Sequence, residues 1–183
     1  MTPANLLRFL YFAYLLKPKS ERQVYRFIGR HKVKRIVEVG LQTGQRALRL
    51  IAAAQRYSGQ DAVSYTGIDL FEARASGLRL KEAHRMLCAT GARVRLIPGD
   101  PLAGLSRSAN TLPGTDLVLI AGDHEPELLA RAWYYLPRML RAGSRVYEQA
   151  PAAGHGPLEF RVVPPEELLR RASTPRPARP QAA

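Results

Sequence analysis

The segment from Lys34 to Leu48 constrains the fold of this chain more than any other. It begins with β-branched apolar residues, passes through a turn that holds Gly40 and Gly44, and continues with apolar residues at helical spacing. This order predicts a strand, a tight turn and a helix, which together open a doubly wound α/β sheet. Ligands of such sheets lie outside the carboxyl end of the strand, against the N–H groups of the helix start.

The turn excludes two common nucleotide-binding motifs. The dinucleotide fingerprint G-x-G-x-x-G requires glycine where this chain has Gln42 and Gln45, and the Walker motif requires Lys-Ser or Lys-Thr after the last glycine. Glu38 stands at the predicted end of the strand, where its charge repels phosphate and attracts a cation. The segment therefore predicts a positively charged ligand.

Strand and helix patterns alternate along the rest of the chain. Five strands separated by helices imply a mostly parallel sheet with right-handed crossovers. The predicted strands after the first are 63–68, 94–97, 117–120 and 145–147, with a short edge strand at 158–163. The predicted helices are 78–90, 101–109, 126–140 and 165–172.

Three segments are predicted. Residues 1–33 form an N-terminal helical cap of two helices, 4–16 and 20–31, and residues 34–172 form the α/β domain. The proline-rich tail, 173–183, is expected to be disordered.

The net charge of +13 is concentrated near the N-terminus. Residues 1–35 contain nine Lys or Arg and one acid, Glu21, which gives +8. Such a surface suits nucleic acid or an anionic membrane, although a solvated basic helix has the same composition. We expect a small-molecule substrate, with nucleic acid as the alternative partner, and we favour a solvated helix over membrane contact. The pattern does not predict an oligomeric state.

The single cysteine and the short apolar runs indicate the cellular compartment of the protein. Cys88 alone excludes an intrachain disulfide and a cysteine-based zinc cluster. The longest apolar run, 6–16, contains Arg8 and is shorter than the roughly 20 residues of a membrane span. Lys17 and Lys19 follow this run, whereas a secretory signal carries its charges in front. We therefore expect a cytoplasmic protein.

Acidic residues follow all five predicted strands. Because the carboxyl ends of parallel strands share one edge, this predicts an acidic cleft for a ligand with an ammonium or sulfonium group and a ribose diol. Ordinary roles compete: Asp100 and Asp123 precede proline-initiated helices as N-caps, and Asp69 suits a surface bridge. The five acids are Glu38, Asp69, Asp100, Asp123 and Glu148.

Four motifs, 36–44, 67–71, 98–100 and 117–124, resemble in their order those of class I S-adenosylmethionine-dependent methyltransferases. The resemblance covers about 35–149. It implies a Rossmann-like methyltransferase fold and S-adenosylmethionine as cofactor. By this resemblance, Glu38 and the Gly40, Gln42 and Gly44 turn hold the methionine end, Asp69 takes the ribose hydroxyls, and Asp100 lies near the adenine amine.

The chain departs from the family at two positions. Leu41-Gln42-Thr43 replaces a segment that is usually richer in glycine. Ala121 stands where the metal-dependent O-methyltransferases carry an aspartate ligand, so we predict no metal site. Asp123 and His124 are the nearest candidates to orient or deprotonate the acceptor.

Three functional hypotheses follow. The first is S-adenosylmethionine-dependent methyl transfer to an unidentified acceptor. The second is a non-catalytic scaffold of the same fold that binds a partner through its basic N-terminal helices. The third is an RNA methyltransferase that docks RNA on the same helices.

Overall fold

A six-stranded sheet organises the protein. The computed structural model describes residues 21–58, 63–73, 77–121, 124–151, 156 and 158–173. The strand order is β3-β2-β1-β4-β5-β6, with β1 to β5 parallel and β6 antiparallel to β5. This confirms the predicted doubly wound, mostly parallel α/β sheet. The strands are β1 Arg35–Val39, β2 Ser64–Asp69, β3 Arg93–Pro98, β4 Thr115–Ile120, β5 Leu140–Pro151 and β6 Leu158–Val162.

Helices cover both faces of this sheet. One face carries α1, α2 and α3, and the other carries α4, α5, α6 and two 3-10 segments. Alternate residues of each strand enter opposite cores, so that Ile36 and Val37 face different helices. The helices are α1 Glu21–His31, α2 Gln45–Ser58, α3 Leu80–Cys88, α4 Pro101–Ser108, α5 Pro126–Ala132 and α6 Pro165–Ala172, and the 3-10 segments are Phe71–Ala73, Ala109–Thr111 and Trp133–Arg138.

Helix α1 belongs to the same core as the central strands. Val24 and Ile28 are buried in it with Ile36 of β1. The helix predicted over 4–16 and the tail from 174 lie outside the described residues. None of the described helices is long and apolar enough to cross a membrane.

Two predicted elements differ from the observed ones. The helix predicted over 126–140 ends as an α-helix at Ala132 and continues as a 3-10 segment containing Pro137. Proline lacks an N–H and its ring clashes with the preceding turn, so the α-helical pattern stops ahead of it. The fifth strand, predicted over three residues, extends to Leu140–Pro151 because it pairs with β4 on one side and β6 on the other.

An ion-pair cluster joins α6 to the last two strands. Arg161 Nη2 lies 2.6 Å from Glu148 Oε2 and 2.7 Å from Glu167 Oε1. Arg171 Nη1 lies 2.8 Å from Glu148 Oε1, and Arg171 Nη2 also contacts Glu167. The Arg171 guanidinium stacks 4.5 Å above the ring of Trp133. These contacts attach the end of the chain to the sheet.

This cluster predicts a loss of stability in acid. A hydrogen bond from Arg161 and the charges of both arginines lower the pKa of Glu167 to about 2, against the opposing effect of burial. A carboxylate whose pKa is lower in the folded state stabilises the protein above its unfolded pKa, and this contribution disappears as pH falls through about 2. Urea unfolding at about pH 5 and about pH 2.5 should therefore show a smaller acid loss for Glu167→Gln than for the wild type.

Glu166→Gln provides the matched control. Glu166 is exposed one residue earlier in the same helical turn, and no ion pair of the described chain involves it. We expect this variant to retain the acid dependence of the wild type. Equal acid losses in Glu167→Gln and Glu166→Gln would contradict the role given to the cluster.

Candidate functional site

The carboxyl ends of β1, β2 and β4 meet at Gly40. The Gly40 N–H donates to the Ile68 carbonyl at 2.8 Å, and the Ala121 N–H donates to the Val39 carbonyl at 2.9 Å. The strands β2 and β3 follow β1 on one side of it, and β4 lies on the other side. This is the topological switch point, where open α/β sheets have their ligand crevice.

The turn after β1 requires a left-handed backbone at three positions. The φ angles are +86° at Gly40, +56° at Gln42 and +72° at Gly44. The Gly44 N–H closes the turn on the Leu41 carbonyl at 3.0 Å, and α2 follows from Gln45. The first N–H groups of a helix have no intrahelical partner, so the start of α2 brings free donors to this edge of the sheet.

Leu41 explains part of the departure from a glycine-rich turn. Its side chain is 1% exposed and belongs to the core on the α2 face. A Cβ placed on Gly67 of β2 would overlap Leu41 Cδ1. Leu41 therefore packs inward against β2, while Gln42 and Thr43 form the exposed tip.

Asp69 binds this tip directly. It ends β2, its side chain is 6% exposed, and its Oδ2 accepts a hydrogen bond from the Gln42 N–H at 2.9 Å. Its Oδ1 accepts from the Leu70 N–H at 2.7 Å. A carboxylate offers about four lone-pair sites, so two are left for a ligand. The structure thus brings Asp69 and the turn together.

Glu38 lies in the core instead of projecting from the edge. Its side chain is fully buried, and its Oε1 accepts from Arg46 Nε at 2.5 Å. Its Oε2 accepts from the Tyr65 hydroxyl. Arg46 Nη2 also donates to the Gly40 carbonyl at 2.8 Å. The ion pair therefore connects Glu38 to the turn through α2.

Burial and charge shift the pKa values around Glu38. Burial raises the pKa of Tyr65 well above its ordinary value, and the Glu38 charge raises it further. Burial alone would lower the pKa of Arg46, but the charge and hydrogen bond of Glu38 raise it. Both shifts keep Arg46 charged and Tyr65 protonated, which is the state that neutralises the buried carboxylate.

Sequence analysis missed Arg46 as the partner of Glu38. The signal was present, because helices favour acids in the first turn and α2 has none there. A cation near the N-terminus of a helix interacts unfavourably with the helix dipole. Arg46 at this position therefore indicates a nearby acid that pairs with it.

The remaining acids have other partners. Asp100 caps α4, since its Oδ1 accepts from the Ala103 N–H at 2.8 Å, and Pro101 opens that helix. Glu148 belongs to the ion-pair cluster with Arg161 and Arg171. The expectation of a cleft of concentrated negative charge is wrong for Glu38 and Glu148, because each is neutralised by arginine.

The structure describes one of the two predicted catalytic residues. Asp123 lies outside the described residues. His124 is partly buried beside the turn: a Cβ on Gly40 would lie 3.0 Å from His124 Nε2 and 3.0 Å from Ala121 Cβ. The site thus brings together Gly40, Gln42, Asp69 and His124. The described ranges contain no group of three or more metal-ligating acids, histidines or cysteines.

Comparison with known proteins supports the fold. The sequence matches no family model and no curated protein. The structure resembles the trans-methyltransferase CalH in complex with SAH, at 17% identity and a TM-score of 0.51 over 84% of this chain and 39% of CalH. It also resembles cofactor-bound Rv0187 from MTB, at 17% identity and a TM-score of 0.51 over 81% of this chain and 66% of Rv0187.

The chain therefore spans less than two thirds of either structure. At this identity the likeness concerns the fold. It confirms the Rossmann-like α/β fold that the resemblance implies.

Proposed function

We propose that the carboxyl edge of the sheet binds S-adenosylmethionine and that the protein transfers its methyl group to an acceptor nucleophile. One observation carries the proposal: at the switch point of the sheet, the carboxylate of Asp69 lies against a turn of left-handed residues at the start of α2. CalH, which shares the fold, is a methyltransferase bound to SAH.

The residues at this edge fit the cofactor. Gly40 allows Ala121 and His124 to approach the backbone of the turn closely, since a Cβ there would lie 3.0 Å from both side chains. The unused lone pairs of Asp69 suit the two ribose hydroxyls. The N–H groups at the start of α2 suit the methionine carboxylate. When bound, the cofactor supplies a methyl group on a positively charged sulfur.

In this proposal, Glu38 shapes the cofactor site indirectly, by pairing with Arg46. Arg46 holds the Gly40 carbonyl and thereby sets the path of the turn. Glu38 is fully buried with both oxygens bonded, so its predicted role at the methionine end would be exerted through Arg46 and not by direct contact. The predicted contact of Asp100 with the adenine amine stays a prediction.

The protein part of the mechanism is positioning. Holding the acceptor in line with the methyl group converts a bimolecular reaction into an effectively unimolecular one. His124, beside the turn, is the described side chain placed to orient the acceptor or take its proton. Asp123 shares this proposed role. We propose a small-molecule acceptor, with RNA as the alternative.

Isothermal titration with S-adenosylmethionine tests the proposal. We expect binding by the wild type and about tenfold weaker binding by Asp69→Asn, because loss of the charge weakens the accepted hydrogen bonds by about 1.4 kcal/mol. Glu159→Gln is the matched control, since Glu159 is exposed on the edge strand β6. Equal affinities for Asp69→Asn and Glu159→Gln would argue against a cofactor contact at Asp69.

A non-catalytic scaffold is the second candidate, and one observation favours it. Both carboxylate oxygens of Glu38 are bonded within the protein and the side chain is fully buried, which leaves this acid no surface for an ammonium group. A folded wild-type protein that shows no binding at about 1 mM cofactor, a concentration at which even weak complexes form, would favour the scaffold.

A further inference from the structure

A polar cavity lies at the amino ends of the strands, on the opposite edge from the candidate cofactor site. Its volume is about 570 Å³, within the roughly 300–1,000 Å³ of small-molecule sites. It lies between the first three strands and the segment 111–115 that leads into β4. Its polar lining consists of three cations and four hydroxyl residues: Lys34, Arg35 and Arg93, and Ser64, Thr66, Thr111 and Thr115.

The sheet register sets the spacing of these groups. Arg35 of β1 pairs with Ser64 of β2, and Ser64 pairs with Arg93 of β3. Neighbouring strands lie about 4.8 Å apart, so the two arginine backbones are roughly 10 Å apart with a serine between them. Two long cationic side chains thus flank a row of hydroxyl groups.

Thr66 is placed as a binding group at the floor of the cavity. Thr66 lies two positions after Ser64 on β2, opposite Val37 of β1, and is 3% exposed. None of the hydrogen bonds among the described residues uses its hydroxyl. The hydroxyl is therefore available to a ligand in the cavity, as a donor or as an acceptor.

The charge of the cavity is positive. None of the described residues that line it is acidic. The carboxylate of Asp116 is engaged by other groups: it accepts from the Lys34 and Arg35 N–H groups at 2.8 and 2.9 Å and from Arg141 Nε at 2.6 Å. Within the described chain the exposed Arg93 forms no ion pair, and Arg35 Nη1 donates to the Pro113 carbonyl.

We propose that this cavity binds a small molecule that carries phosphate groups. Guanidinium groups match phosphate oxygens with two parallel hydrogen bonds, and each phosphate offers several acceptors for the hydroxyl donors. Because cations lie on both sides of the row of hydroxyl groups, the cavity suits a ligand with two phosphate groups better than a ligand with one. A concave site of about 570 Å³ favours a small molecule over nucleic acid, which needs an extended basic surface. The site is independent of the proposed cofactor site.

Titration of the full-length protein with inorganic pyrophosphate tests the proposal. Isothermal titration gives the affinity, and amide shifts of Ser64 and Thr66 in a ¹⁵N-labelled sample report the place of binding. We expect about tenfold weaker binding by Arg93→Ala and by the isosteric Thr66→Val, since each removes a hydrogen bond to a charged group. Arg170→Ala is the charge-matched control: Arg170 is exposed on α6, which packs against β5 and β6 in the other half of the sheet, and this variant should bind as the wild type does.

Several results would overturn the proposal. Pyrophosphate at about 10 mM that moves neither amide would show that the cavity holds no phosphate. Equal weakening by Arg93→Ala and Arg170→Ala would show unspecific attraction. Tighter binding of citrate than of pyrophosphate would assign the site to carboxylates, and tighter binding of an RNA oligonucleotide that also depends on Arg93 would assign it to nucleic acid. Thermal melts of both variants separate loss of binding from loss of fold.

Discussion

Replacing Arg46 with methionine is expected to lower the free energy of unfolding by about 3–5 kcal/mol, because it leaves the buried carboxylate of Glu38 without its cation. Methionine retains most of the length of the side chain and its packing, so the change concerns charge more than volume. Tyr65 would still donate one hydrogen bond to Glu38, but a neutral donor does not offset a buried charge. Urea unfolding near neutral pH measures the difference.

The double variant Glu38→Gln with Arg46→Met distinguishes charge from packing. If the penalty comes from the unpaired charge, neutralising Glu38 as well should recover a large part of the stability. Arg170→Met serves as the surface control and should change stability by no more than about 0.5 kcal/mol. A loss in Arg46→Met no larger than that of the control would show that Glu38 draws no stability from Arg46.

Gly40→Ala should destabilise the protein by about 2–3 kcal/mol and weaken S-adenosylmethionine binding at least tenfold. Two effects add at this position. The φ angle of +86° is strained for any residue with a Cβ, and that Cβ would lie 3.0 Å from Ala121 Cβ and from His124 Nε2. Relieving these contacts moves the turn or His124, and both belong to the proposed site.

Gly143→Ala separates the two effects. Gly143 has a φ of +85°, nearly the same as Gly40, but a Cβ there meets nothing within 4 Å. This variant should show the backbone strain alone, about 1 kcal/mol, with cofactor binding unchanged. Equal destabilisation by the two variants would mean that Ala121 and His124 give way without cost. Unaltered cofactor binding by Gly40→Ala would place the cofactor away from the turn.

The glycine turn and the strand ends were predictable because their signals are local. A β-branched run before Gly40 and helical spacing after Gly44 predict β1 and α2, and both are observed. Pro101 after Asp100 predicts a capped helix start, and the cap is present. Among the described elements, the length of β5 and the α-helical extent ahead of Pro137 differed most, since strand pairing decides the first and backbone sterics the second.

The partners of the acids at the strand ends were not predictable in the same way. Glu38 and Arg46 are eight positions apart, and Asp69 and Gln42 twenty-seven, so no helical or strand period relates them. Their contacts depend on how α2 crosses β1 and how closely the turn approaches β2. The sequence showed an acid at the end of a predicted strand that attracts a cation, and the packing of α2 determined that this cation is Arg46.

By itself the sequence determined the alternation of strands and helices, the edge of the sheet that carries the candidate site, and the turn that begins α2. These follow from short-range periodicity and from backbone preferences of glycine and proline. Only the tertiary structure decided that Arg46 neutralises Glu38, that Asp69 binds the turn, and that three basic residues surround a cavity at the far edge. These features arise where distant segments meet, and the geometry of their packing sets which charges are paired.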